Sequence, residues 1–151
     1  MIRLPSLALT LVSLVPSTGA AQLDSWERDV QRHLAQATRR LHDAGYESTP
    51  DTLAGTLNTG ESTWMTLRLE AGRSFVVTGV CDADCAALEL ALYSPNGYEV
   101  DAARSAESAP IVQVVPRETG RYRVRVVMAR CTTNPCRYGI GVFRKREAKG
   151  S

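Results

Sequence analysis

The sequence is poor in histidine. Its 151 residues hold two, His33 and His42. Nine positions is two and a half helical turns, so on one helix the two rings face opposite sides and do not share a metal or form a hydrolase base pair. G-x-S-x-G, H-E-x-x-H, P-loop and Rossmann glycine patterns are absent as well, and with them the usual sequence marks of nucleophile elbows, zinc proteases and nucleotide enzymes. Paired carboxylates for glycoside hydrolysis stay open in principle, but no two acids stand out. There is no low-complexity tract, and past the N-terminus no apolar run is long enough to cross a bilayer. The expectation from these absences is a non-catalytic protein without a transmembrane segment.

What is present describes one exported domain. Hydrophobic residues make up 44% of the chain, a globular proportion. The start, MIRLPSLALTLVSLVPSTGAAQ, has one arginine, an apolar stretch from Leu7 to Val15, Pro16, and the small residues Thr18, Gly19, Ala20 and Ala21. That is the order of a secretory signal peptide, assigned to residues 1–21 with cleavage after Ala20 or Ala21. The mature protein is expected in the periplasm or outside the cell.

The spacing of Trp26, Val30, Leu34, Ala37 and Leu41 predicts an amphipathic helix over 24–44, capped by Asp24 or Ser25 and closed by Gly45. Residues 22–50 are read as this helix plus a turn-rich linker, 46–51. The period then changes from 3.6 to 2. WMTLRLE, ALELALY, RYRVRVVM and YGIGVF alternate, while SFVVTGV and IVQVV are continuously apolar, as strands under a second layer are. Gly, Pro and Asn turns separate the runs, so residues 51–143 predict an antiparallel β-sandwich of seven or eight strands. Residues 144–151 are read as a basic tail that frays.

The four cysteines form two close pairs, Cys81/Cys85 and Cys131/Cys136. Each pair joins the end of one strand run to the start of the next, which suits two local disulfides; the second would clamp a hairpin end. A four-thiolate zinc site prefers tighter spacing and a reducing compartment. A redox pair prefers C-x-x-C at a helix N-terminus. Asp82 and Asp84 lie between the first two cysteines with Glu89 on the next strand, and these three are candidate calcium ligands. No other cofactor is indicated.

Net charge is +2, but the basic residues gather late. From Ile111 onward stand Arg117, Arg121, Arg123, Arg125, Arg130, Arg137, Arg144, Lys145, Arg146 and Lys149, opposed by Glu118 and Glu147. Strand pairing between the two halves of the chain would neutralise this asymmetry; a basic stripe would use it. On RYRVRVVM the alternation puts Arg121, Arg123 and Arg125 on one face, where guanidinium forks suit carboxylates and phosphates. They are the candidate binding residues, with Trp64, Tyr93 and Tyr98 as candidate aromatics.

The series L-x-L-x-A-G-x-x-F-V-V-x-G-V-C-D-x-D-C, L-E-L-x-L-Y-S-P-N-G, A-P-I-V-Q-V-V-P-R-E-T-G-R-Y-R-V-R-V and C-x4-C-R-Y-G-I-G-V resembles the bacterial pre-peptidase C-terminal domain, in a stand-alone exported version, from about Gly60 to Phe143. The resemblance implies a jelly-roll-like sandwich that is not itself catalytic and that aids secretion, substrate contact or maturation. Some relatives hold calcium through acids of a D-x-D-L strand; here those positions read Ala87-Leu88-Glu89-Leu90.

The expected function is an exported binding or accessory module of the bacterial envelope, whose partner is an envelope protein or an anionic glycan and not a nucleic acid. The alternative is a calcium-dependent secretion or maturation accessory of a secreted hydrolase system.

Overall fold

The computed structural model describes residues 24–104 and 107–148. The signal segment read over 1–21 lies outside them. Helix α1 spans Ser25–Asp43, with the Asp24 carboxylate accepting the Glu27 N–H at 2.8 Å. Eight strands follow: β1 Tyr46–Leu57, β2 Ser62–Leu69, β3 Phe75–Cys81, β4 Cys85–Tyr93, β5 Glu99–Ala103, β6 Ile111–Val114, β7 Gly120–Cys131 and β8 Cys136–Lys145.

The strands form two four-stranded antiparallel sheets, ordered β1-β8-β3-β6 and β2-β7-β4-β5. That order is the eight-stranded jelly roll, two interlocked Greek keys. Leu67, Leu88, Leu90, Val124, Val126 and Met128 of the second sheet meet Val77, Val112, Ile140 and Val142 of the first, all fully buried. Period-2 alternation supplies this core from both inner faces.

The outer faces of the two sheets differ. Helix α1 lies across the outside of β1, β8 and β3. Every residue of β3 is therefore buried, since it has the sandwich on one side and the helix on the other. The glycines of β8 make the seat. A Cβ on Gly139 would stand 2.9 Å from Val30 Cγ1, and one on Gly141 3.1 Å from Leu34 Cδ1. Val76, Val80 and Phe143 are buried around them. Gly139→Val is expected to force the helix outward, at a cost of about 1–3 kcal/mol. A urea melt checks it; unchanged stability would show that the helix yields freely.

Three expectations change. Residues 46–51 are strand, not linker: β1 begins at Tyr46 and absorbs Pro50 in a register irregularity between Ser48 and Thr52. Because β1 is an edge strand, the missing N–H of Pro50 breaks no central ladder. Residues 144 and 145 do not fray but end β8, with Arg144 hydrogen-bonded to the Glu47 carboxylate at 2.6 Å. Lys145 Nζ donates to Ala44 O at 2.7 Å and Arg146 Nη2 to His42 O at 3.0 Å. These cations satisfy carbonyls at the negative end of α1.

The third change concerns the cysteines. Cys81 is bonded to Cys85 and Cys131 to Cys136. The second bridge does not clamp a hairpin, because β7 and β8 lie in different sheets; so do β3 and β4. Each bridge closes an arch from one sheet to the other, and Cys85 faces Cys131 across the β4–β7 ladder, so the two arches lie side by side. Thr132 N donates to Asp84 O at 2.7 Å, and Arg137 N to Asp82 Oδ2 at 2.7 Å.

Candidate functional site

Among the described residues no helix lies over the outer face of β2-β7-β4-β5. Alternation sends Trp64, Thr66 and Arg68 of β2 outward, beside Arg125, Arg123 and Arg121 of β7 in that register. On the other side of β7, Tyr93 stands opposite Arg123 and Ala91 opposite Arg125. The strand register thus builds a cluster around one indole. Arg123 lies over the Trp64 ring at 4.9 Å and Arg125 at 5.9 Å from its centroid, with the Tyr93 ring at 5.5 Å. Guanidinium over an indole face is attractive and holds the ring in place. Trp64 nevertheless remains 46% exposed.

Arg68, Arg121, Arg123 and Arg125 make no salt bridge among the described residues; the ion pairs there use other cations. Arg68 and Arg121 are direct cross-strand neighbours, a like-charge pair that costs stability. Two acids, Glu89 and Glu99, stand near this face. Glu99 is held by Arg104, whose Nη1 donates to Glu99 Oε1 at 2.9 Å. Glu89 points outward from β4 beside Arg104 and Arg125.

Two depressions flank the indole along β7. One, of about 380 Å³, is bounded by Thr66, Arg121, Arg123 and the Pro95–Gly97 turn. The other, of about 140 Å³, is bounded by Glu89, Ala91, Tyr93, Arg104, Arg125 and Val127. A larger cleft of about 490 Å³ lies between α1 and β1 against Val30, Leu34, Leu53 and Ile140. It is mostly apolar, and its one arginine, Arg137, is already paired with Asp24. The arginine face has the stronger chemistry although its depressions are smaller.

Arg121, Arg123 and Arg125 thus share a face, and the structure adds Arg68 and Arg104 to it. Arg68 was readable as an outward position of WMTLRLE; Arg104, just past β5, carries no pattern. Tyr98 is 74% exposed beyond the 94–97 turn. The calcium candidates are placed apart in environment. Asp82 is buried, 3% exposed, with Oδ2 on the Arg137 N–H and Oδ1 unpartnered. Asp84 is half-buried in the same arch, and Glu89 is on the outer face of β4. No group of three or more His, Cys, Asp or Glu able to hold a metal occurs among the described residues. His33 is half-buried, with Nδ1 3.1 Å from Cys81 O.

The exposed carboxylates of Glu47 and Glu99 are held below the ordinary glutamate value of 4.5, each first by a hydrogen bond from its arginine, Arg144 and Arg104. Glu61 is held down by the Asn58 backbone N–H, which donates to Oε2 at 2.7 Å. A depressed carboxylate stabilises the fold above its unfolded-state value and loses that contribution as pH falls through the folded one. The triple variant Glu47→Gln, Glu61→Gln, Glu99→Gln is expected to show a shallower loss of Tm between neutral pH and pH ~3 than the parent protein. Parallel acid limbs would contradict this.

No family model matches the chain, and no curated protein matches it. Among solved structures, PliG of Aeromonas hydrophila, a periplasmic lysozyme inhibitor of g-type lysozyme, is similar at 13% identity and a TM-score of 0.49, over 68% of this chain and 90% of that one. A likeness at this level carries no argument about what the present chain does. Among the described residues no helix is long and apolar enough to cross a membrane.

Proposed function

We propose that the protein is an exported, non-catalytic binding module that holds a negatively charged partner on the outer face of β2-β7-β4-β5. The observation that carries this reading is the row of Arg68, Arg121, Arg123 and Arg125, which make no salt bridge among the described residues and stand beside a half-exposed tryptophan on the sheet face the helix leaves open. Holding like charges together costs stability, and an anion repays that cost when bound. Two disulfides suit an oxidising compartment and agree with the signal pattern. The resemblance to an appended, non-catalytic domain supports the same role.

The test compares two variants of equal net charge on an immobilised polyanion. Arg121→Ala with Arg123→Ala and Arg125→Ala removes the face; Arg28→Ala with Arg39→Ala and Arg40→Ala removes three exposed helix arginines. The first is expected to elute at much lower salt than the parent protein and the second close to it. Equal losses would mean that retention reports net charge and no site, and the reading would fall.

A further inference from the structure

We infer that the partner is a linear acidic polysaccharide that runs along β7 and crosses the Trp64 indole. This inference rests on the binding face proposed above and deepens it. Three features favour a polymer of charged sugars over a compact anion.

The first is periodicity. Arg121, Arg123 and Arg125 project from alternate positions of one strand, so their Cα atoms are spaced about 7 Å apart in a straight row. A row of evenly spaced cations matches a chain with an anion on each repeat.

The second is relief. Along β7 the surface runs from the Arg121/Arg123 depression, over the Trp64–Tyr93 ridge, to the Arg125 depression. The first hollow is open and bounded by arginines, and the second is narrower with Glu89 on its wall, so the rings of an extended chain would seat against Arg121 and Arg123 and pass the indole toward Arg125. A protein partner would instead seat apolar anchors in desolvated pockets. Here the first hollow is bounded by guanidinium groups, the Thr66 side chain and a Pro-Asn-Gly turn.

The third is the indole itself. Arg123 and Arg125 pin Trp64 by one set of contacts, yet nearly half the residue stays open to solvent at 46% exposure. A fixed, exposed ring offers an apolar surface to the C–H face of a pyranose, while the guanidinium forks beside it take the carboxylates. Anchoring by stacking and by charge is then simultaneous, and neither suffices alone.

Calorimetry with four polymers tests this, using the mature oxidised protein. Polygalacturonate carries carboxylates on sugar rings; its methyl ester keeps the rings and loses the charge; polyglutamate keeps the charge without rings; oligo-dT offers phosphates with bases. Polygalacturonate is expected to bind in a salt-dependent manner and the methyl ester and polyglutamate to bind far more weakly. Trp64→Ala is expected to weaken polygalacturonate about tenfold. Arg121→Ala with Arg123→Ala is expected to weaken it about a hundredfold, with no fall in Tm, since the like-charge pair with Arg68 is relieved. Equal binding of polyglutamate or oligo-dT, lost in the double arginine variant, would overturn the polysaccharide while leaving the anion-binding face intact. Polygalacturonate binding that neither variant alters would overturn both, and so would binding of none of the four.

Discussion

Removing both disulfides lowers the unfolding free energy by about 4 kcal/mol, about 2 for each short ring, and lowers Tm on the order of 10 °C. The rings are small, so the loop entropy of each is modest. Their placement makes the loss unequal. Both bridges sit at one end of the sandwich, each tying the β1-β8-β3-β6 sheet to the other. The arches they close are hydrogen-bonded to one another through Thr132 with Asp84 and Arg137 with Asp82. With one bridge cut, the intact arch still holds the sheets in register. The second cut therefore costs more than the first, a coupling that a double-mutant cycle measures directly. Cys81→Ala with Cys85→Ala, Cys131→Ala with Cys136→Ala, and the combination, melted in urea, give the three numbers. A combined loss under about 1 kcal/mol would show that the arches are held by the core alone.

Val30→Asp detaches the helix. Val30 is the buried residue of α1, set against the bare backbone of Gly139, and the one arginine of the adjoining cleft, Arg137, is already paired with Asp24. An unpaired charge placed there costs about 3–5 kcal/mol if it stays buried. The cheaper response is for α1 to leave, which uncovers Val76, Val80 and Phe143 on the outside of the sheet. A contiguous apolar patch of this kind drives association. The variant is expected to lose helix signal at a lower urea concentration than sheet signal and to self-associate, by sedimentation. A monomer that unfolds in one step at nearly the parent midpoint would contradict the account of the helix as the cover of that sheet.

Much of this was readable in local pattern. The helix came from apolar spacing and a capping aspartate, and most strands from period-2 alternation. The local pairing of the cysteines followed from their positions at strand ends, and the shared face of Arg121, Arg123 and Arg125 from parity on a single strand. What was not readable is what depends on pairing between distant segments. Parity says that Trp64 and Arg125 each face outward; only the β2–β7 register says that they touch. The same blindness turned an arch between sheets into an expected hairpin, since Thr-Thr-Asn-Pro looks alike in both. Pro50 hid β1 because proline argues against a central strand and is harmless on an edge. The alternating glycines of β8 showed a strand without showing that they were a seat for α1. Charge in the last residues read as a loose tail, yet the C-terminal carbonyls of a helix far away in sequence bind it.

The recognition face has a built-in reporter. Of the two tryptophans, Trp26 lies at the start of α1 and Trp64 at the centre of the arginine cluster. In Trp26→Phe protein, the emission of Trp64 is followed during titration with oligogalacturonate while calorimetry records binding. The account predicts a spectral shift that saturates together with the heat and is reversed by salt. Heat of binding with an unchanged Trp64 spectrum would place the ligand elsewhere and contradict the claim that this sheet face is the working surface.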